Sequence, residues 1–116
     1  MRSSRAERGA AAELLAERFL TARGLRVLER NFRCRGGEID LIVREGDTLV
    51  FVEVRLRSSQ RFGGAAASID ARKAARIRLA AQHYLVRQCP MPRCRFDAIL
   101  LDGLEDAAIE WLRNVF

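Results

Sequence analysis

The chain has 116 residues, 49% hydrophobic and 31% charged, with 21 Lys and Arg against 15 Asp and Glu and a formal net charge of +6. That length suits a single domain with an ordinary core, and no run approaches the ~18 apolar residues of a membrane span. The basic start, Met1 to Arg8, is followed by no apolar h-region, and Glu7, Glu13 and Glu17 are early acids, so neither a secretory signal nor a transit peptide is expected and the cytoplasm is the default.

A strongly basic balance favours a polyanion, most simply nucleic acid bound through phosphate neutralisation and counterion release. The plain alternative is a basic surface with no partner. Arginine supplies 20 of the 21 cations and Lys73 is the only lysine, a bias that a GC-rich genome produces without selection at any site. Cys34, Cys89 and Cys94 make an odd count with no sign of an oxidising compartment. Cys89 and Cys94 with His83 nearby have the wrong spacing for a zinc knuckle, so free thiols are expected.

Arg5 to Arg23 reads as a helix, with Leu14, Leu15, Phe19 and Ala22 as its apolar stripe, and Gly24 is placed to end it in a left-handed cap. Glu13 and Glu17 are one turn apart and share a face, either solvated or looking toward the strands. Leu25 to Arg30 predicts a short strand, and Asn31 to Gly37 a basic, Gly-rich loop. Glu38 to Val43 and Thr48 to Leu56 predict two strands joined by the turn Arg44-Glu45-Gly46-Asp47. Glu53 and Arg55 are two apart and project from one face together with Phe51, while Val50, Val52 and Val54 take the other. A strand apolar on both sides belongs in the middle of its sheet.

Ser58 to Ala67, with Phe62-Gly63-Gly64, reads as a loop placed to cover a site, or as a plain connector. Ser68 or Asp70 caps a helix running to about Arg87, with Ile77, Ala80, Ala81, Tyr84 and Leu85 as its apolar stripe. Arg72, Lys73 and Arg76 crowd its first two turns, against the macrodipole but useful to a phosphate. Seven cations fall between Arg55 and Arg78, Arg57 and Arg61 among them, against Glu53 and Asp70 as the acids. After Cys89-Pro90-Met91-Pro92 comes a strand, Arg95 to Leu101, and Ala108 to Arg113 is a last strand or short helix around Trp111. The order αβββαβ plus a short C-terminal element is that of an α/β protein with a mixed sheet flanked by helices.

Asp40 and Glu53 stand among apolar residues on neighbouring strands. Burying a carboxylate is costly unless it is paired or bound to a cation, and two carboxylates brought close repel. A hard divalent cation such as Mg²⁺ or Mn²⁺ removes that conflict and binds phosphate oxygens. Arg55 could hold a phosphate or its negative transition state; its high pKa makes it a poor general base. Glu38 reads as a surface or turn residue, Asp97 as a structural charge paired with Arg95 or a helix residue, and Tyr84 and Trp111 as core.

The spacing of Asp40, Glu53 and Arg55 resembles the PD-(D/E)XK nuclease signature, whose last position is usually Lys. More closely, Gly9 and Glu13, Gly37-Glu38-Ile39-Asp40-Leu41-Ile42, Phe51-Val52-Glu53-Val54-Arg55, Phe62-Gly63 and Arg95-Phe96-Asp97 resemble the YraN family of predicted endonucleases, relatives of archaeal Holliday junction resolvases. The resemblance implies a restriction endonuclease-like fold and catalysis by Glu13, Asp40, Glu53 and Arg55, with metal ligation by Asp40 and Glu53. It also selects Glu13 over Glu17 as the helix glutamate that assists at the metal through water.

The expected function is a Mg²⁺- or Mn²⁺-dependent endonuclease acting on DNA, including branched or damaged DNA, with Arg57, Arg61, Arg72, Lys73 and Arg76 on the nucleic acid. A homodimer would supply the two sites needed to cut both strands. The alternative is a binding module that keeps the nuclease fold and holds nucleic acid without cutting it.

Overall fold

The computed structural model describes residues 4–56, 69–104 and 108–115. Its elements are α1 (Arg5–Thr21), β1 (Arg26–Cys34), β2 (Gly37–Glu45), β3 (Thr48–Leu56), α2 (Ala71–Leu85), β4 (Arg93–Leu101) and β5 (Ile109–Leu112). The strands form one five-stranded sheet in the order β1-β2-β3-β4-β5. Neighbours are antiparallel except β3 and β4, whose parallel pairing needs a long connection, which α2 occupies.

Alternation along β3 assigns the two faces. Val50 and Val52 join Leu41, Val43 and Ile99 under Ala12, Ala16 and Leu20 of α1. Phe51 joins Ile42 and Leu49 under Ile77, Ala80 and Ala81 of α2. With a helix on each face, the central strand is apolar on both sides, as its sequence indicates. This is a mixed α/β sheet of the restriction endonuclease-like kind. No helix among the described residues is long and apolar enough to cross a membrane.

Two elements differ from the sequence reading. In α1 the buried stripe is Ala12, Ala16 and Leu20, flanked by Leu15 and Phe19, while Leu14 is 46% exposed. Alanines let the helix backbone approach the sheet, and side-chain hydrophobicity alone does not reveal that. Strand β1 runs on to Cys34 through the segment expected to be a loop, leaving Arg35 and Gly36 as the turn. It is an edge strand whose polar residues Asn31 and Arg33 are exposed while Phe32 and Cys34 pack toward α2.

The helix ends follow their local sequences. Gly24, at φ +89°, closes α1 with a Schellman pair of bonds, Gly24 N–H to Thr21 O and Leu25 N–H to Leu20 O, both 3.1 Å. Asp70 caps α2 by accepting from Lys73 N–H at 2.8 Å.

Gly37 fixes how closely β2 passes α2. A Cβ there would run into the backbone carbonyl oxygen of Arg76 and come within 3.1 Å of Ala80 N. Gly37→Ala is therefore expected to push α2 off the sheet and to cost on the order of 1–3 kcal/mol. Urea denaturation checks it, and an unchanged midpoint would refute the close contact.

The opposite end of the sheet is held by Asp97 of β4, which is fully buried. Its carboxylate accepts from Arg95 Nε at 3.0 and 3.1 Å, Trp111 Nε1 at 2.9 Å and Asn114 N–H at 2.9 Å. The structural pairing with Arg95 is as expected. Trp111 is half-buried rather than fully enclosed.

Candidate functional site

The β2–β3 ladder runs from Glu45 and Thr48 to Leu41 and Val52. Beyond that point β2 stays paired with β1 as far as Gly37, and β3 with β4 as far as Leu56. The sheet forks there. In the fork, Asp40 Oδ2 accepts from Val54 N–H at 2.8 Å, so a side chain takes the backbone donor of the neighbouring strand. Ile39 packs toward α2 and Leu41 toward α1, although they are two apart. The strand turns over at Asp40, opposite Asn31, which adopts φ +50°, a conformation Asn tolerates better than most residues.

Glu53 lies across the fork and is 3% exposed. Burial, the hydrogen-bonding contact with Asp40 and the Asp40 charge push its pKa up to about 8, against the pull of Lys73 and Arg55. Lys73 Nζ lies 3.2 Å from Glu53 Oε2 and 3.6 Å from Glu38 Oε1, and Arg55 NH2 lies 3.5 Å from Glu53 Oε2. These are ion pairs by distance, yet Oε2 is buried and receives no well-formed hydrogen bond among the described residues. It keeps acceptor capacity for something more.

Glu13 of α1 approaches from the other face. Burial and then the Asp40 charge raise its pKa, opposed by a hydrogen bond from Asn31 and by Arg33. Glu13, Asn31 and Arg33 line a cleft of about 570 Å³ with Ala6, Gly9 and Ala10. A side chain at Gly9 would meet no other atom, which leaves this wall of the cleft low. Glu17 is turned away and pairs with Arg30, so the two glutamates that spacing could not separate have different partners.

Of the residues expected at the site, Asp40 is in electrostatic reach of both Glu13 and Glu53, and Arg55 is in reach of Glu53. Among the described residues no three His, Cys, Asp or Glu side chains form a group able to enclose a metal. Lys73 has a partner that the sequence does not reveal. Expected on a nucleic-acid surface with Arg72 and Arg76, it is the α2 cation that faces Glu53, whereas Arg72 and Arg76 are exposed. Glu38, taken for a surface or turn residue, is a half-buried β2 residue paired with Lys73 and Arg33. Arg57, Arg61 and the Phe62 loop lie outside the described residues. The three cysteines are free thiols, as expected.

Comparison with known proteins bears on the same segments. A family model described as "Uncharacterised protein family UPF0102" matches residues 12–101. The chain belongs to this family. It is 55% identical over 114 residues to UPF0102 protein NE0719 of Nitrosomonas europaea, covering 98% of this chain and 97% of that one. It is 59% identical over 109 residues to a UPF0102 protein of Dechloromonas aromatica, with 94% and 88% covered. A UPF0102 protein of Ralstonia pickettii is 54% identical over 113 residues, with 93% and 88% covered. The UPF0102 match includes Glu13, Asp40, Glu53, Arg55 and Lys73, so the forked site lies within the family's shared region.

Proposed function

We propose that this UPF0102 chain is a metal-dependent endonuclease of the PD-(D/E)XK kind that hydrolyses phosphodiester bonds in DNA. One observation carries the reading: Glu53, buried with an unfilled acceptor oxygen, is held beside Asp40 in a fork of the sheet. The repulsion within such a pair is relieved by a divalent cation, and an all-oxygen donor set suits Mg²⁺ or Mn²⁺. Asp40 and Glu53 would hold the ion, with waters completing its shell and Glu13 assisting through one of them.

When bound, the ion makes a water easier to deprotonate and offsets charge at phosphorus. The chain's own groups do the rest. Val54 N–H fixes the Asp40 carboxylate. Glu13, its pKa raised by burial and the Asp40 charge, is a better proton acceptor than an exposed carboxylate. Lys73 and Arg55 flank Glu53 and supply donors for the non-bridging phosphate oxygens. The ammonium that the signature carries on its strand would here come from α2, while Arg55 adds a second charge.

The net charge of +6 supports a polyanionic substrate, and branched or damaged DNA is the class to test first. A cytoplasmic setting agrees with free thiols, and a homodimer would place two sites on two strands. Purified protein with Mn²⁺ is expected to cut junction, flap or linear DNA. Asp40→Asn should abolish cutting, and Lys73→Met should slow it by about 10²–10³-fold, as for loss of one transition-state donor. Absence of metal-dependent cleavage on all three would reject the reading.

The second reading, a binding module without catalysis, is favoured by the same two cations, which already balance much of the Glu53 charge. It predicts salt-sensitive DNA binding unaffected by metal and retained when Asp40→Asn and Glu53→Gln are combined.

A further inference from the structure

A second cavity, of about 350 Å³, opens between the edge strand β1 and the last turns of α2. That volume falls in the range of about 300–1,000 Å³ that takes small organic molecules. Phe32 and Tyr84 line it, meeting edge to face with ring centroids 5.3 Å apart. Both rings are only half-buried, so aromatic surface is left uncovered at a place where the core could have closed. Exposed Arg33, His83 and Arg87 bring positive or hydrogen-bonding groups, and Gln88 and Glu29 add a carboxamide and an acceptor.

Arg33 also lines the cleft that holds Glu13, so one arginine stands between the two cavities. A phosphate on Arg33 would lie where the Glu13 cleft and the Phe32–Tyr84 cavity share a wall. An aromatic wall with donors and an acceptor around it suits a nucleobase, which stacks on rings and offers its pairing edge to polar groups. A base inside a duplex has neither its face nor that edge free.

We propose that the Phe32–Tyr84 cavity takes one unpaired base of a nucleic-acid strand whose adjacent phosphate rests on Arg33. The preferred substrate is therefore a strand with an unpaired nucleotide beside the bond that meets Asp40 and Glu53. This rests on the nucleic-acid reading above and adds the form of the substrate to it.

The test is binding by the full chain in EDTA, which suspends cleavage. The probes are a blunt duplex, the same duplex with a single-stranded overhang carrying 2-aminopurine at its first unpaired position, and adenosine monophosphate. The overhang duplex should bind about tenfold tighter than the blunt one, the scale of one lost stacked base, with 2-aminopurine fluorescence quenched. Tyr84→Ala should remove the preference and the quenching while blunt-duplex binding stays. If that variant fails to fold, Arg87→Ala, at an exposed position, should narrow the same ratio. A ratio unchanged in a folded variant, with blunt duplex still bound, overturns the cavity assignment and leaves nucleic-acid binding standing. No binding of either duplex at low salt overturns both. Adenosine monophosphate bound more tightly than the overhang would reassign the cavity to a free nucleotide and overturn the strand proposal.

Discussion

Asp97→Ala is expected to destabilise the fold by about 3–5 kcal/mol, the scale of removing one partner from a buried, charged network. The carboxylate is fully buried and receives Arg95, Trp111 and the Asn114 backbone, so truncation orphans donors from two strands and the C-terminal tail. Each buried donor left without a partner costs about 1–3 kcal/mol. Arg95 retains Glu45 at 2.7 Å, which limits the loss on its side. Asp97→Asn keeps the volume and one acceptor oxygen, so about half the effect is expected. Urea denaturation of both variants measures this, and a loss in Asp97→Ala below about 1 kcal/mol would mean that the network does not hold β5. Asp97 pairs in the β3–β4 ladder opposite Val52, one residue before Glu53, so Asp97→Asn should retain cleavage at temperatures where it remains folded.

Glu53→Gln is expected to act in the opposite direction on stability and, under the nuclease proposal, to end cleavage. The Glu53 pKa is raised from 4.5 to about 8 in the fold, so the native state binds this proton more tightly than the unfolded chain. The contribution from that proton is fully present below the unfolded pKa and is lost as pH rises through the folded one. Between about pH 5 and about pH 8.5 the wild type should therefore lose on the order of 2–4 kcal/mol relative to Glu53→Gln, which has no proton to lose. Urea midpoints of the two proteins at both pH values give the comparison, and parallel pH profiles would show that Glu53 is not held as a neutral acid. Mg²⁺ or Mn²⁺ at alkaline pH should restore stability to the wild type and do less for Glu53→Gln, since a ligand of the native state stabilises it by mass action.

Much of the sheet was legible because its signals are local. Val50 to Val54 alternate around Phe51, a two-residue turn joins β2 to β3, and Asp70 and Gly24 mark helix ends. The carboxylates Asp40 and Glu53 were visible for the same reason, as charges in apolar strands. What was not legible depends on approach distances between elements. The α1 stripe of Ala12 and Ala16 looks weaker in sequence than Leu14, yet small side chains decide how near the helix comes. The second half of the edge strand β1, from Asn31, carries polar residues on its open side and so reads as loop.

The approach of Lys73 to Glu53 is not legible in the sequence, because only the packing of α2 against β2 brings it there. A compositional signal was nevertheless present. In a chain where 20 of 21 cations are Arg, the one lysine lies 3.2 Å from a buried carboxylate. An ammonium fits there as a compact point charge with three rotatable donors, where a planar guanidinium would need a wider slot.

The fork between β2 and β3 has a mechanical consequence. Asp40 moves with β1 and β2, and Glu53 moves with β3 and β4, because each remains laddered to its outer neighbour. No ladder rung beyond the Leu41–Val52 pair fixes the distance between them. Across the open side the halves are tied by the bond that Val54 N–H donates to Asp40 and by Lys73, which pairs with both Glu38 and Glu53. Under the metal proposal, the span between the two carboxylates is thus set by side-chain bonds across the fork and not by a ladder rung.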